Sequence, residues 1–390
     1  MNPKLELLYV ISRLSWGGLE MNILRLANEM IKRGHSVTIA CNLKGRLFQE
    51  LVKIFNGEKR KIETVGLSSN FAENLATLLK ILKQKQFSII HIFNSSDLKL
   101  VSLAVILQAG NQALILDPQI GVGVSKKDLL HKIFYKKVDT VIAISKDVAN
   151  GFLQNLPIDE NKLKLIYPGV DVGKFRFSEQ SRKKIRDEFN LEDEVVIGVI
   201  SRFSPGKGHE ELFKAFKILK DEFNNVKLLV VGEPTVGEVS YFKGLQKLAE
   251  ELGINDKTIW TGFRKDVQDV LCAIDIFVAP SHAEAFGLSL VEAMATELPV
   301  VATRSAGFLD IISDGIDGLF FEKGNYEDLA EKIKLLIKNK ELAKQLGKRA
   351  RETVCEKFSF ERYLNEIEAL YLDLVKSKQT EVRDVQHSKP

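Results

Sequence analysis

Short, almost wholly apolar runs recur along the chain, separated by longer stretches in which apolar residues return every three or four positions. The first run, LELLYVIS (5–12), predicts a buried strand, and the amphipathic stretch after it predicts a helix from about Gly18 to Lys32. HSVTIAC (35–41), FSIIHIF (87–93), QALILD (112–117) and DTVIAIS (139–145) repeat the theme. Strands that are apolar on both faces, rather than alternating, belong to parallel sheets covered by helices on each side.

A second series begins after YPGVDVGKFRF (167–177), where a proline and two glycines break the periodicity. EVVIGVI (194–200), VKLLVVG (226–232), KTIWTG (257–262), IDIFVAP (274–280), LPVVAT (298–303) and GLFFE (318–322) predict six more strands. Helices fit between them, for example over 208–223 and 238–252. The fold expected is therefore α/β with two Rossmann-like domains, 1–166 and 167–357, facing a cleft. The polar tail 377–390, SKQTEVRDVQHSKP, reads as disordered. Ligands of open parallel sheets sit at the C-terminal ends of the strands, so motifs at those ends carry most weight.

Composition narrows the class. The 390 residues, 45% hydrophobic and 28% charged, suit a soluble protein of two or three domains. No apolar run approaches the roughly 18 residues of a membrane span. Three widely spaced cysteines, Cys41, Cys272 and Cys355, and six histidines without ligand spacing suggest neither a disulfide framework nor a metal cluster. A reducing, cytoplasmic location is expected. The net charge of +4 is uneven: residues 1–150 carry 21 Lys and Arg against 12 Asp and Glu, leaving the remainder acidic. A basic N-terminal half suits an anionic partner, such as a membrane surface or a phosphorylated acceptor, or is simply a lysine-rich solvated surface. KKDLLHKIFYKK (126–137), with Leu129, Leu130, Ile133 and Phe134 among lysines, suits anionic lipid or an ordinary packed helix.

Three strand-end segments could carry chemistry. SRLSWGGLE (12–20) offers Gly17 and Gly18, which allow close backbone approach before a helix N-terminus. It is not GxGxxG, and no acid closes the second strand, so a dinucleotide site is disfavoured. SRFSPGKG (201–208) sets Arg202 and Lys207 on a loop before a helix, which suits a diphosphate, although two cations beside a turn can also be merely solvated. It lacks GxxxxGK[ST], so it is not an NTP-hydrolysing loop. SHAEAFGLSLVEAMA (281–295) holds Glu284 in a loop and Glu292 inside a helix, among small and apolar neighbours. Each carboxylate can accept from a pair of hydroxyls, and the first amides of that helix, Phe286, Gly287, Leu288 and Ser289, suit an anion.

The order of GGxE (17–20), LIYPGVDVGKF (165–175), SRFSPGKG, TGFRKDV (261–267), E-x7-E (284–292) and AGFLDIISDGIDGLFF (306–321) resembles the GT4 family of retaining glycosyltransferases. The likeness runs to about residue 375 and is more specific in the second half. It implies the GT-B fold, with a final helix, about 358–376, returning to the first domain. It implies no metal and no other cofactor, and nothing here resembles a DxD metal motif. Carried over by position, Arg202 and Lys207 would bind the donor's diphosphate, Glu284 the sugar hydroxyls and Glu292 the ribose. Arg202, Lys207 and Glu284 are the catalytic set. Gly17 and Gly18 would line the site from the first domain. The backbone of Gly262, Phe263 and Arg264 would approach the base.

The first domain departs from the pattern. Many relatives carry histidines where this chain has Asp117 and Asn94, and Asp310 stands where relatives usually carry Glu. The reaction implied moves a sugar, by family frequency from a UDP-sugar, onto a glycan or lipid-linked saccharide. Retention of configuration, a role in cell-envelope polysaccharide synthesis and a place at the cytosolic face of the membrane are expected with it. No nucleic-acid partner is expected. A nucleotide-sugar epimerase of the same architecture and a non-catalytic nucleotide-sugar-binding protein are the alternatives.

Overall fold

The computed structural model describes residues 3–14, 18–55, 62–121, 123–234 and 237–387, with side chains omitted at 18–19, 54–55 and 381–387. The chain divides into two compact units, 1–166 with 364–390, and 167–363.

The first unit is built on β1 (Glu6–Ile11), β2 (Ser36–Asn42), β3 (Glu63–Leu67), β4 (Ile89–Ile92), β5 (Ala113–Leu116), β6 (Thr140–Ala143) and β7 (Leu163–Leu165). All neighbours are parallel, in the order β3-β2-β1-β4-β5-β6-β7. Apart from Glu6 and Ser36 at their first residues, the inner strands β1, β2, β4, β5 and β6 are buried along their whole length, as unbroken apolar runs require. The helix Gly18–Lys32 has the bounds the periodicity predicts. β3 and β7 are the edge strands, half-exposed and short, and their weak apolar signal explains why pattern alone passes over them.

The second unit contains β8 (Val195–Ile200), β9 (Val226–Val231), β10 (Thr258–Gly262), β11 (Ile276–Ala279), β12 (Val300–Thr303) and β13 (Leu319–Phe321). Their order is β10-β9-β8-β11-β12-β13, again all parallel. Ile197 and Val199 of β8 and Leu228 and Val230 of β9 pack under Phe213 and Phe216 of the helix His209–Glu222, and Trp260 closes the cluster edge-on to Phe213. Side-chain caps start several helices, including Asn70, Asp128, Ser145, Ser178 and Asn325, each worth about 1 kcal/mol.

Two expectations are corrected. The tail 377–390 is not disordered throughout: the last helix runs Phe360–His387. Lys, Gln, Glu and Arg are good helix formers, and no glycine or proline interrupts them before Pro390. Phe134 does not join the outward apolar face of 126–137; it is buried with Tyr135. Within the first unit the last helix is fixed at several points. Glu368 takes Arg33 at 2.5 Å and His35 at 3.1 Å, Tyr371 meets His91 at 2.7 Å, and Lys378 pairs with Asp139 at 2.7 Å.

Candidate functional site

In a doubly wound sheet the loops diverge where the strand order reverses, and that point forms the natural crevice for a ligand. In the second unit the reversal lies between β8 and β11. The loop after β8 carries Arg202 and Lys207; the loop after β11 carries Glu284. Two motifs 77 residues apart therefore reach one place, and Lys207 Nζ lies 2.7 Å from Glu284 Oε2. Both side chains are mostly buried, so the pair is more than a solvated surface contact. Arg202 stands exposed at the same strand end.

Backbone geometry sets these loops. Gly208 precedes the helix His209–Glu222 with φ +73°, and a Cβ there would fall 2.0 Å from the Pro280 carbonyl oxygen. His282 N–H donates to Gly206 O at 2.8 Å, and its Nε2 meets Glu211 Oε1 at 3.0 Å. On the other flank Gly307 N–H donates to Glu284 O at 3.1 Å, and a Cβ on Gly307 would lie 2.5 Å from that oxygen. The fully buried His209 faces Ser201 Oγ at 3.0 Å. Burial, helped by the Lys207 charge, lowers its pKa to about 4, so the ring is neutral at pH 7 and anchors the residue before Arg202.

The helix after Glu284 is Leu288–Ala295, capped by Gly287 in the left-handed region. Its first amides have no intrahelical acceptor and concentrate positive potential at this end. Glu292 lies in its second turn, half-buried; burial pushes its carboxyl up to about 7, opposed by the Lys174 charge. Leu288 and Ser289 are half-buried, leaving their backbone within reach of a ligand. The Phe286 side chain is unavailable to one, because it packs against Tyr167 and Phe358 at centroid distances of 5.9 and 5.6 Å. Arg264 is likewise engaged, held by Glu188 and Asp266 over the ring of Phe189. Gly262 ends β10 with positive φ, and Phe263 beside it is 53% exposed. Thus 262–264 offers a backbone edge and one open ring.

In the first unit the order reverses between β1 and β4. Asp97, after β4, accepts from Ser12 N–H at 2.9 Å and from Ser12 Oγ, tying the two loops together. Gly17 lies outside the described residues; Gly18 opens the helix Gly18–Lys32. Asn94 caps the short turn Ser95–Asp97. Asp117 is fully buried at the end of β5, accepting from Gln119 Nε2 at 2.9 Å and facing His91 Nε2 at 3.7 Å. His91 in turn meets Tyr371 Oη, which donates to Tyr9 Oη at 3.2 Å. His91 lies within the apolar run FSIIHIF, and nothing local to that run foreshadows its link to the last helix, since Tyr371 is 280 residues away. A shallow cavity of about 390 Å³ in the first unit is lined by Gly121, Gly123, Asp147, Asn150 and Gln154 among others. Its carboxylate and amides suit hydroxyls rather than phosphate. A larger one, about 750 Å³, lies at the opposite strand ends, beside Glu6, Ser36 and Glu63. Among the described residues no three carboxylate, imidazole or thiolate groups converge as metal ligands would.

Comparison with known proteins agrees with this geometry. A family model described as glycosyl transferases group 1 matches residues 181–353, and one described as glycosyltransferase family 4 matches residues 16–174. The chain belongs to the family 4 glycosyltransferases. The capsular polysaccharide biosynthesis glycosyltransferase CapM of Staphylococcus aureus is 30% identical over 64% of this chain and 66% of its own length. An uncharacterized glycosyltransferase of Methanocaldococcus jannaschii is 30% identical over 68% of this chain and 67% of its own. For several curated relatives the match spans only half to two thirds of their length. A solved glycosyltransferase from Rickettsia africae superposes with a TM-score of 0.84 at 25% identity, covering 96% of this chain and 99% of that one. Anabaena HepE, solved with UDP and glucose, superposes with 0.79 at 20% identity, covering 94% and 99%. The fold of this family 4 member is GT-B: two Rossmann-like units, each a parallel sheet with helices.

Proposed function

We propose that this protein transfers a sugar from a nucleoside-diphosphate donor to a glycan or lipid-linked saccharide, with retention at the anomeric carbon. The observation that carries the reading is the meeting of Lys207 and Glu284, 2.7 Å apart, at the switch point of the second sheet. A cation and a carboxylate side by side match the two ends of a sugar diphosphate. Arg202 and Lys207 take the phosphates, Glu284 the sugar hydroxyls, and Glu292 the ribose; the backbone of Phe286, Gly287, Leu288 and Ser289 adds donors, and that of 262–264 faces the base. UDP is the favoured nucleotide, supported by UDP in the HepE structure. A capsular relative supports a part in envelope polysaccharide synthesis, at the cytosolic side.

The chemistry needs no metal or other cofactor in this reading. The C1–O bond to the diphosphate stretches and breaks while the acceptor oxygen bonds to C1 from the same face. The acceptor's proton passes to the departing phosphate oxygen, so the diphosphate leaves protonated and no separate base is required. Arg202, Lys207 and the helix amides stabilise the charge growing on that phosphate, an effect worth roughly 10²–10³ in rate per donor. Lys207 pairs with Glu284 at 2.7 Å; a diphosphate that takes Lys207 frees the carboxylate for hydroxyls.

A thermal-shift panel of UDP-, GDP- and ADP-sugars, followed by NMR of the product anomer, tests the proposal. The expected result is stabilisation by one nucleotide class and a retained anomer. An inverted product, or isomerised donor without transfer, refutes it.

A further inference from the structure

Glu284 sits on a loop that is held from two sides. Toward β12, Ser305 Oγ donates to Ser281 O at 3.2 Å and Gly307 N–H donates to Glu284 O at 3.1 Å. Toward β8, three polar contacts among the described residues join this loop to the Lys207 loop and the helix that follows it. They are Lys207 Nζ to Glu284 Oε2 at 2.7 Å, His282 N–H to Gly206 O at 2.8 Å, and His282 Nε2 to Glu211 Oε1 at 3.0 Å. Two of the three belong to His282.

Glu211 gives the His282 ring a fixed anchor. It lies in the first turn of the helix His209–Glu222, and the next residues, Leu212 and Phe213, are fully buried. An acid is favoured at this end of a helix, where the amide dipoles gather positive potential. A carboxylate only accepts, so His282 Nε2 donates, and such a bond is stronger than one between neutral groups. Glu211 Oε2 is buried and takes no hydrogen bond among the described residues, which leaves His282 as the one partner of this carboxylate there. A buried carboxylate oxygen without a partner costs stability. Local costs of that kind are kept where geometry serves a function.

The proposed function removes one of the three contacts. A diphosphate that takes Lys207 breaks its pairing with Glu284 just when the spacing of the two loops must hold. We infer that His282 is a positioning residue, tethered to Glu211, that keeps the Glu284 loop in register with the Lys207 loop once Lys207 has moved to phosphate. The tether is a property of the chain alone; its use in turnover rests on the function proposed above.

Lys207→Met imitates the departure of Lys207. Hydrogen-exchange protection of the residue 282 amide reads the register, because that N–H donates to Gly206 O and is present in every variant. In Lys207→Met alone, protection should stay within about twofold of wild type, since both His282 contacts remain. Adding His282→Ala should lower it about tenfold. His282→Gln in its place, which still offers an N–H to Glu211, should restore it. Glu211→Ala should match His282→Ala in the same background, and the two together should add nothing further. A Lys207→Met, His282→Ala protein as protected as Lys207→Met overturns the inference. So does a His282→Gln protein as unprotected as His282→Ala, since ring packing rather than the bond would then hold the loop. In transfer assays with UDP-, GDP- and ADP-sugars, His282→Ala alone should lower kcat about tenfold at little-changed KM, with recovery in His282→Gln. An unchanged kcat overturns the positioning role. A wild type that transfers no sugar refutes the proposed function instead, and the exchange result then decides the tether.

Discussion

The two sheets share one winding but finish their strands differently. At the switch point of the second unit the loops are interlocked by backbone contacts: Gly208 on the Pro280 carbonyl, Gly307 on that of Glu284, His282 N–H on Gly206. Charged side chains, Lys207 and Glu284, project from that frame. The first unit has backbone bonds of its own, Phe93 N–H to Val10 O and Asp117 N–H to Ile92 O, and adds side chains: Ser12 with Asp97, and Tyr9, Tyr371, His91 and Asp117 in one buried row. At Gly208 and Gly307 no side chain fits without moving backbone, whereas the buried row of the first unit depends on which side chains are present. Under the proposed function, the close backbone packing of the second unit suits an invariable diphosphate.

The comparison can be broken most severely at the cations. Lys207→Ala and Arg202→Ala should each lower turnover roughly 10²–10³-fold, and near-normal kcat in both would remove the second unit from the chemistry. Gly208→Ala comes next. The added methyl meets Pro280 O at 2.0 Å on a backbone with φ +73°, so the loop must shift. A displacement on the order of 1 Å costs about 10²-fold in kcat/KM. An unaltered rate would show that the interlocking is incidental.

Glu292 gives a smaller, pH-dependent effect. Its folded pKa, about 7, exceeds the unfolded value of 4.5, so the folded state binds the proton more tightly. Its contribution to stability is full below about pH 4.5, declines as pH rises through 7, and changes no further above. Glu292→Gln should therefore stabilise the apo protein relative to wild type by about 2 kcal/mol more at pH 8 than at pH 5, measured by urea unfolding. An equal difference at both pH values would contradict the burial argument. Smallest is Tyr371→Phe, which removes the hydroxyl between His91 and Tyr9. It should cost about 1 kcal/mol of stability while leaving nucleotide affinity in calorimetry unchanged. A loss of UDP binding would erase the distinction between the two units.

Much of this was legible in the sequence, for physical reasons that also mark the limit. Runs such as VKLLVV and SVTIAC are apolar on both faces only when buried in a parallel sheet, so the inner strands follow from pattern. Edge strands β3 and β7 bury less and leave little signal. The charged loop motifs announce themselves because glycine and proline isolate them. What no local pattern reveals is where side chains go: Phe286 and Arg264, whose backbone the motif places at the ligand, have their side chains committed to Tyr167 and Phe358 and to Glu188 and Asp266. Nor does it reveal the contact of Tyr371 with His91, made across 280 residues. The composition of 377–390 misleads because polar helix formers resemble a solvated coil until a long helix already present extends into them.

The most direct test is a crystal structure with UDP bound. The account predicts phosphate oxygens within about 3 Å of Arg202 and Lys207, with Lys207 moved off Glu284 and the ribose at Glu292. A nucleotide lodged away from the β8–β11 strand ends, with Lys207 still paired to Glu284, would contradict it.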